Sequence, residues 1–311
     1  MQVTLSIITA AYNAGMVIDR AVRSLMLQLV EDVEWIIVDD GATDGSAAML
    51  DELAAAHAQI HVIHTENRGA GAARNTGIRA AQGEWIAFLD ADDYFTDTAI
   101  ADIAALVGSS DAQDTDIFYL PKIVTDMEGR APHVVQPESL IRNGLPDLEF
   151  WSSLYRNSYL RQADVRFPEH REQDVETAFR LLAFNRTTRI RTRHDPAFLV
   201  HRDNPDSNVH TWNPERLLRV KSTVYADLIG ELADAPANVR KKIVSTLYTS
   251  IDQYLIAVIR RHIHPSKNQL QTVTRIGWHS LGRQCTAKTW AKKMLFMLLV
   301  VVTSFRASTA R

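Results

Sequence analysis

Between Val3 and Leu89 the chain switches back and forth between two hydrophobic periods, and this alternation most constrains its fold. Val3–Thr9 is a β-branched run, Glu34–Asp39 and Ile60–His64 resemble it, and Trp85–Leu89 is a further short apolar run. Between them, Val17, Ile18, Ala21, Val22, Leu25 and Leu29 recur at helical spacing, Asp44-Gly45-Ser46 opens a second helix through Leu53, and Ala70–Ala81 reads as a third. Strands that alternate with helices need right-handed crossovers, which implies an α/β fold with a mainly parallel sheet. Ligands of such sheets bind beyond the carboxyl ends of the strands.

Past Asp93 the pattern loosens. Thr98–Val107 predicts a helix, Asp116–Val124 one strand, Met127-Glu128-Gly129-Arg130 a turn into a short strand at Pro132–Val135, and Glu149–Leu160 a helix. Val175–Phe184 is a strongly amphipathic helix, and Arg189–Arg193 and Ala197–His201 read as strands. From Asn213 the pattern is mostly helical, broken at Ala235-Pro236 and His264-Pro265.

The strand tips carry the chemistry. Asp90-Ala91-Asp92-Asp93 follows the run ending at Leu89, and three carboxylates there repel unless a cation or donors compensate. Oxygen-rich clusters of this kind suit Mg²⁺ or Mn²⁺, which also hold substrate phosphates. The first tip offers Tyr12 for stacking on a base, or a plain βα loop. At the second tip, Asp44 or Ser46 can cap the next helix, whereas Asp39 or Asp40 is harder to explain by capping. The third leads into Gly69-Ala70-Gly71 at a helix start, a place that favours anions, with Arg74 available to a diphosphate. The glycines imitate a dinucleotide fingerprint, but Arg74 stands at the third glycine position and the pattern follows the third strand, so a nicotinamide enzyme is disfavoured.

Four segments in order resemble glycosyltransferases of family 2, which have the GT-A fold: residues 6–13 (SIITAAYN), 38–46 (VDDGATDGS), 73–77 (ARNTG) and 88–93 (FLDADD). The resemblance covers residues 1 to about 210. It implies a GT-A domain at 1–210, with a nucleotide-binding half at 1–95 and an acceptor half at 96–210; the helical C-terminal extension expected at 211–311 lies outside the resemblance and rests on the sequence pattern. Thr9, Ala10 and Tyr12 would border the nucleotide base, Asp40 would accept a hydrogen bond from it, and Arg74 would lie near the base or diphosphate. Asp90, with Ala91 beside it, would meet the ribose, and Asp92 would ligate the divalent metal with Asp93 in support. Ala10-Ala11 departs from the family's usual proline, which removes no functional group.

The segment from Phe167 to Glu176 resembles the family's acceptor side, with Gln173 in place of the usual Glu. Asp174 is the expected general base, Glu172 its alternative, and helix capping the plain structural reading of Asp174. Trp151 reads equally as acceptor-pocket wall or core. His201 reads as structural, with metal ligation as the alternative, and Arg202 as a diphosphate contact in a loop over the nucleotide. The implied enzyme is an inverting, Mn²⁺- or Mg²⁺-dependent transferase moving a sugar from a nucleotide-sugar, expected to be UDP-linked, to a glycan or lipid-linked acceptor. A catalytically silent nucleotide-binding protein and a nucleotidyltransferase are its rivals; a paired-carboxylate hydrolase would leave the nucleotide-like loops unexplained. No nucleic-acid partner is expected.

Charge and cysteine bear on location. The single cysteine, Cys285, excludes an internal disulfide and suits a reducing compartment. The N-terminus lacks a basic n-region and a cleavage site, and is expected to be a first strand. From Arg240 onward the chain has 13 Lys or Arg and one acidic residue, Asp252. Lys292-Lys293 precede an apolar run, Met294 to Val302, well short of the roughly 20 residues that span a bilayer. Residues 286–306 therefore predict contact with an anionic inner membrane face, against the alternative of a buried helix or dimer contact, and a cytoplasmic, peripheral protein.

Overall fold

The computed structural model describes residues 2–137, 141–142, 145–146, 150–169, 179, 182–183, 186–187 and 189–203. They fall within the first of two compact units, Met1–Ser207. The expected helix at 175–184 lies mostly outside the described residues, although Phe179, Leu182 and Ala183 are helical; the C-terminal extension, 211–311, lies wholly outside them.

The alternating first part folds as its periodicity predicts. It runs β1 (Leu5–Ala11), α1 (Asp19–Met26), β2 (Val33–Asp39), α2 (Ser46–Ala56), β3 (Ile60–His64), α3 (Ala70–Ala80) and β4 (Trp85–Phe88). Then follow β5 (Tyr94–Phe95), α4 (Ala99–Val107), β6 (Ile117–Tyr119), β7 (Lys122–Asp126), β8 (His133–Val135), β9 (Ile141–Arg142), β10 (Leu145–Pro146), β11 (Ser153–Arg156), α5 (Asn157–Gln162), β12 (Ile190–Thr192) and β13 (Leu199–Asp203).

A seven-stranded sheet has the order β12-β6-β11-β4-β1-β2-β3. β1 pairs in parallel with both β2 and β4, and β2 with β3. All of β2 is buried, as expected of a parallel strand covered on both faces. α3 lies close on β1: a Cβ at Gly77 would come within 2.4 Å of the Ile8 side chain. An aromatic cluster of Phe88, Phe150, Tyr155, Phe167 and Phe179 closes the core beside β4.

Two predicted elements differ. Asp116–Val124 is not one strand but two, β6 in the large sheet and β7 in a second sheet of order β5-β13-β7-β8. Leu120-Pro121 separates them, since proline cannot donate to a ladder. Glu149–Leu160 is not a helix. β11 inserts antiparallel between β4 and β6, and only Asn157–Gln162 is α-helical. Its Ser153, Leu154 and Tyr155 are all buried, so tertiary burial overrides a local pattern that looks helical.

Candidate active site

The tips of β1, β2 and β4 meet at their carboxyl ends. The Asp40 N–H donates to the Ala11 carbonyl at 2.8 Å, and the Leu89 N–H to the Ile8 carbonyl at 3.0 Å. Tyr12, just past β1, is 51% exposed and free to take a stacking partner on its ring face. Thr9 is fully buried and its hydroxyl accepts from the Trp35 indole N–H at 2.9 Å, so its side chain is occupied within the fold. Ala10 is partly exposed beside it.

Asp40 is buried and holds the loop that enters α3. The Arg68 and Gly69 N–H groups donate to its two oxygens at 2.9 and 2.7 Å. Each carboxylate oxygen retains a second lone pair for a ligand. Neighbouring Asp39 is also buried; it accepts from the Ala42 N–H and from His64 Nδ1, while His64 Nε2 faces Asp51 on α2. Hydrogen bonding to Asp39, and then to Asp51, raises the His64 pKa from its ordinary value. Asp44 accepts from the Ser46 N–H and hydroxyl at the first residue of α2, which lowers its pKa; the N-cap position itself is Gly45.

Arg74, on α3, is 5% exposed. Its guanidinium lies 4.5 Å from the Phe150 ring centroid and donates to Asp90 at 2.8 Å. That pair fixes the half-buried Asp90, with half-buried Ala91 next to it.

The three carboxylates of 90–93 have separate environments. Asp93 is fully buried, and its oxygens accept from His201 Nδ1 at 3.0 Å and the Arg202 N–H at 3.0 Å. The second sheet explains this pairing: β13 runs antiparallel to β5 with Val200 opposite Tyr94, which sets His201 beside Asp93. Asp93 is thus committed to protein donors, and His201 has only Nε2 left for any ligand. Burial raises the Asp93 pKa, opposed by His201. Burial alone would lower the His201 pKa, but its bond to Asp93 and that charge outweigh burial and the net shift is upward. Trp151 is buried, stacked on His201 at 4.9 Å with the Lys122 ammonium 4.5 Å from its ring centre. Arg202 is buried too; its Nε donates to the Asp92 carbonyl, which leaves little of it turned to solvent.

Asp92 differs from both neighbours: among the described residues, no other residue donates to its carboxylate. Burial, then the charges of Asp93 and Asp90, push its pKa up to about 6. Among the described residues no group of three or more His, Cys, Asp or Glu side chains is arranged to hold a metal. Asp92 nevertheless fits the way Mg²⁺ and Mn²⁺ are often bound, through one or two carboxylates with substrate phosphates completing the shell. Glu172 and Asp174 lie outside the described residues.

Residues 6–125 match the model of glycosyl transferase family 2. This part of the chain is similar to members of that family. The chain is 30% identical over 213 residues to EpsJ of Bacillus subtilis, described as an uncharacterised glycosyltransferase, covering 65% of this chain and 62% of EpsJ. TarS of Staphylococcus aureus, a poly(ribitol-phosphate) β-N-acetylglucosaminyltransferase, is 25% identical over 206 residues, covering 62% of this chain and 34% of TarS. The chain therefore spans less than two thirds of the length of these relatives. A crystal structure of TarS residues 1–349 with UDP-GlcNAc superposes with a TM-score of 0.66 at 19% identity, over 97% of this chain and 90% of that one. A mannosyltransferase from Pyrobaculum calidifontis, in complex with GDP-Man and Mn²⁺, superposes with a TM-score of 0.55 at 15% identity, over 99% and 87% of the two chains. The fold is GT-A: a mixed α/β domain on a mainly parallel sheet.

One contact near the site was not foreseen from sequence. Asn75, beside Arg74 on α3, binds the backbone of Phe167, 92 residues further along. Its only sequence signal is its place in Ala73-Arg74-Asn75-Thr76-Gly77, which gives no hint of the partner.

Proposed function

We propose that the protein is an inverting, metal-assisted glycosyltransferase that moves a sugar from a UDP-sugar to a glycan or lipid-linked acceptor hydroxyl. The observation that carries this is the half-buried Asp92 carboxylate, short of donors, between an Asp90 fixed by Arg74 and an Asp93 fixed by His201. Such a carboxylate suits a divalent cation shared with a diphosphate. The UDP-GlcNAc in the TarS complex supports the donor, the polymer in that enzyme's name supports the acceptor class, and the Mn²⁺ of the mannosyltransferase complex supports the cation.

On this reading Tyr12 stacks on the base, Thr9 and Ala10 border it, and Asp40 accepts a hydrogen bond from it while holding the loop at Arg68. Asp90 meets the ribose, Ala91 leaves room for it, and Arg74 sets the orientation of Asp90. Asp92 would hold the cation, which when bound supplies Lewis-acid stabilisation of the leaving diphosphate. Asp174, with Glu172 as the alternative, takes the acceptor's proton on the opposite face, so a single displacement inverts the anomeric carbon without a protein nucleophile.

The test is release of UDP or GDP by the full chain from a panel of nucleotide-sugars, with and without Mn²⁺ or Mg²⁺. Cation-dependent release is expected, and Asp174→Asn should abolish transfer while sparing nucleotide binding. Pyrophosphate release from a nucleoside triphosphate would instead mark a nucleotidyltransferase, and binding without turnover a silent relative. Contact of the basic end with an anionic, inner membrane surface is part of the proposal. It rests on 13 Lys or Arg against one acidic residue from Arg240 and on the apolar run at 294–302. No helix among the described residues is long and apolar enough to cross a membrane. Removing residues after Lys288 should shift the protein to the soluble fraction, and unchanged sedimentation with membranes would remove that element.

A further inference from the structure

Two adjacent residues of α3 face different halves of the domain. Arg74 holds Asp90 on the donor side. Asn75 is buried and makes a two-point clamp on Phe167: its Nδ2 donates to the Phe167 carbonyl at 2.8 Å, and its Oδ1 accepts from the Phe167 N–H at 2.9 Å. Asn75 Nδ2 also lies 3.3 Å from Glu169 Oε1. The other Glu169 oxygen accepts from Arg68, whose backbone N–H donates to Asp40. The Phe167 ring in turn stacks on Phe179 and lies 5.4 Å from the Arg74 guanidinium.

A core asparagine that only satisfies itself needs no particular partner. This one reproduces a backbone-like pair with a single residue of a distant segment. That segment, 167–169, leads by sequence directly to Glu172 and Asp174. A helix is stiff, so whatever sets the register of Arg74 against Asp90 also sets that of Asn75 against Phe167.

We infer that Asn75 is a positioning residue, supported by Arg68, that ties the acceptor-side segment at 167–169 to the donor-binding loop. The inference rests on the transferase reading above. Asn75→Ala leaves the backbone bonds of α3 and the Arg74–Asp90 pair intact but frees Phe167. Misplacing a reacting group by a fraction of an ångström to an ångström costs up to about 100-fold in rate without a matching loss of ground-state binding.

The experiment compares the wild-type full chain with Asn75→Ala and Arg68→Ala, reading UDP affinity, kcat, acceptor KM and the ratio of donor hydrolysis to transfer. For Asn75→Ala, UDP affinity should stay within about two-fold while kcat for transfer falls about 30-fold and hydrolysis gains relative to transfer. Arg68→Ala removes an exposed ion pair and keeps the backbone bond to Asp40, so the variant should fold; about a three-fold fall in kcat at unchanged UDP affinity is expected. If Asn75→Ala does not fold, Arg68→Ala decides. A kcat unchanged in the folded variants, or UDP affinity lost in step with kcat, overturns the positioning role while leaving the transferase reading intact. A wild type that releases neither UDP nor GDP from any nucleotide-sugar overturns both.

Discussion

Glu34 and Asp92 sit at opposite ends of one parallel sheet, Glu34 near the amino end of β2 and Asp92 just beyond the carboxyl end of β4. Glu34 is buried and accepts from the Ser6 hydroxyl and from the Gln82 and Gly83 N–H groups, so the chain itself supplies what the charge needs. Asp92 has Asp90 and Asp93 for neighbours, and its pKa rises to about 6 as burial and those charges work against ionisation. One end of the sheet spends its carboxylate on joining β1, β2 and the turn before β4. The other end holds a carboxylate short of donors while the charges around it are paired. Folding stability is expected at the first end and ligand chemistry at the second.

The sharpest way to break this comparison is Asp92→Asn. It should lower cation-dependent UDP release at least about 100-fold in kcat, because the proposed cation loses its carboxylate. Its thermal midpoint should hold or rise slightly, since an uncompensated, half-buried charge is removed. Retained activity would sink the assignment. Glu34→Ala should do the reverse: the Ser6 hydroxyl and the Gln82 N–H lose their acceptor, at about 3 kcal/mol in denaturant unfolding. Nucleotide affinity of the folded protein should be unchanged. Gly77→Ala places a methyl group against Ile8 and should cost about 2 kcal/mol in the same measurement through overpacking. A neutral result would mean that α3 can lift from β1.

The smallest effect concerns pH. His64 bridges Asp39 and Asp51, and its folded pKa lies above the ordinary 6.5. A raised folded pKa contributes stability that is fully present below the unfolded value and lost as pH rises through the folded one. The stability gap between wild type and His64→Gln should therefore be widest below the ordinary histidine value of about 6.5 and close as pH rises above it through the raised folded pKa. A gap that widens with pH would contradict the bridge.

The alternating first part was largely legible because β1, β2 and β4 are buried along almost their whole length while α1 and α2 bury only one side, which leaves separable periods in the sequence. β3 falls at the predicted Ile60–His64, and α3 ends one residue before the predicted Ala81. β11 was not legible. Ser153-Leu154-Tyr155-Arg156 is short, and its strand character comes from the edges of β4 and β6 on either side. The carboxylate cluster was legible as chemistry but not as geometry. Nothing local says that Asp93 meets His201, 108 residues away, or that Thr9 spends its hydroxyl on Trp35.

By itself, the sequence determined the strand–helix alternation, the carboxyl-end location of the charged tips and the family motifs, because all three are written within a few residues of one another. Tertiary structure alone decided which carboxylate is short of donors and which segment Asn75 holds. Those outcomes depend on partners such as His201, Arg202 and Phe167 that are brought in from the far end of the domain, and on a burial that exists only once the sheets have formed.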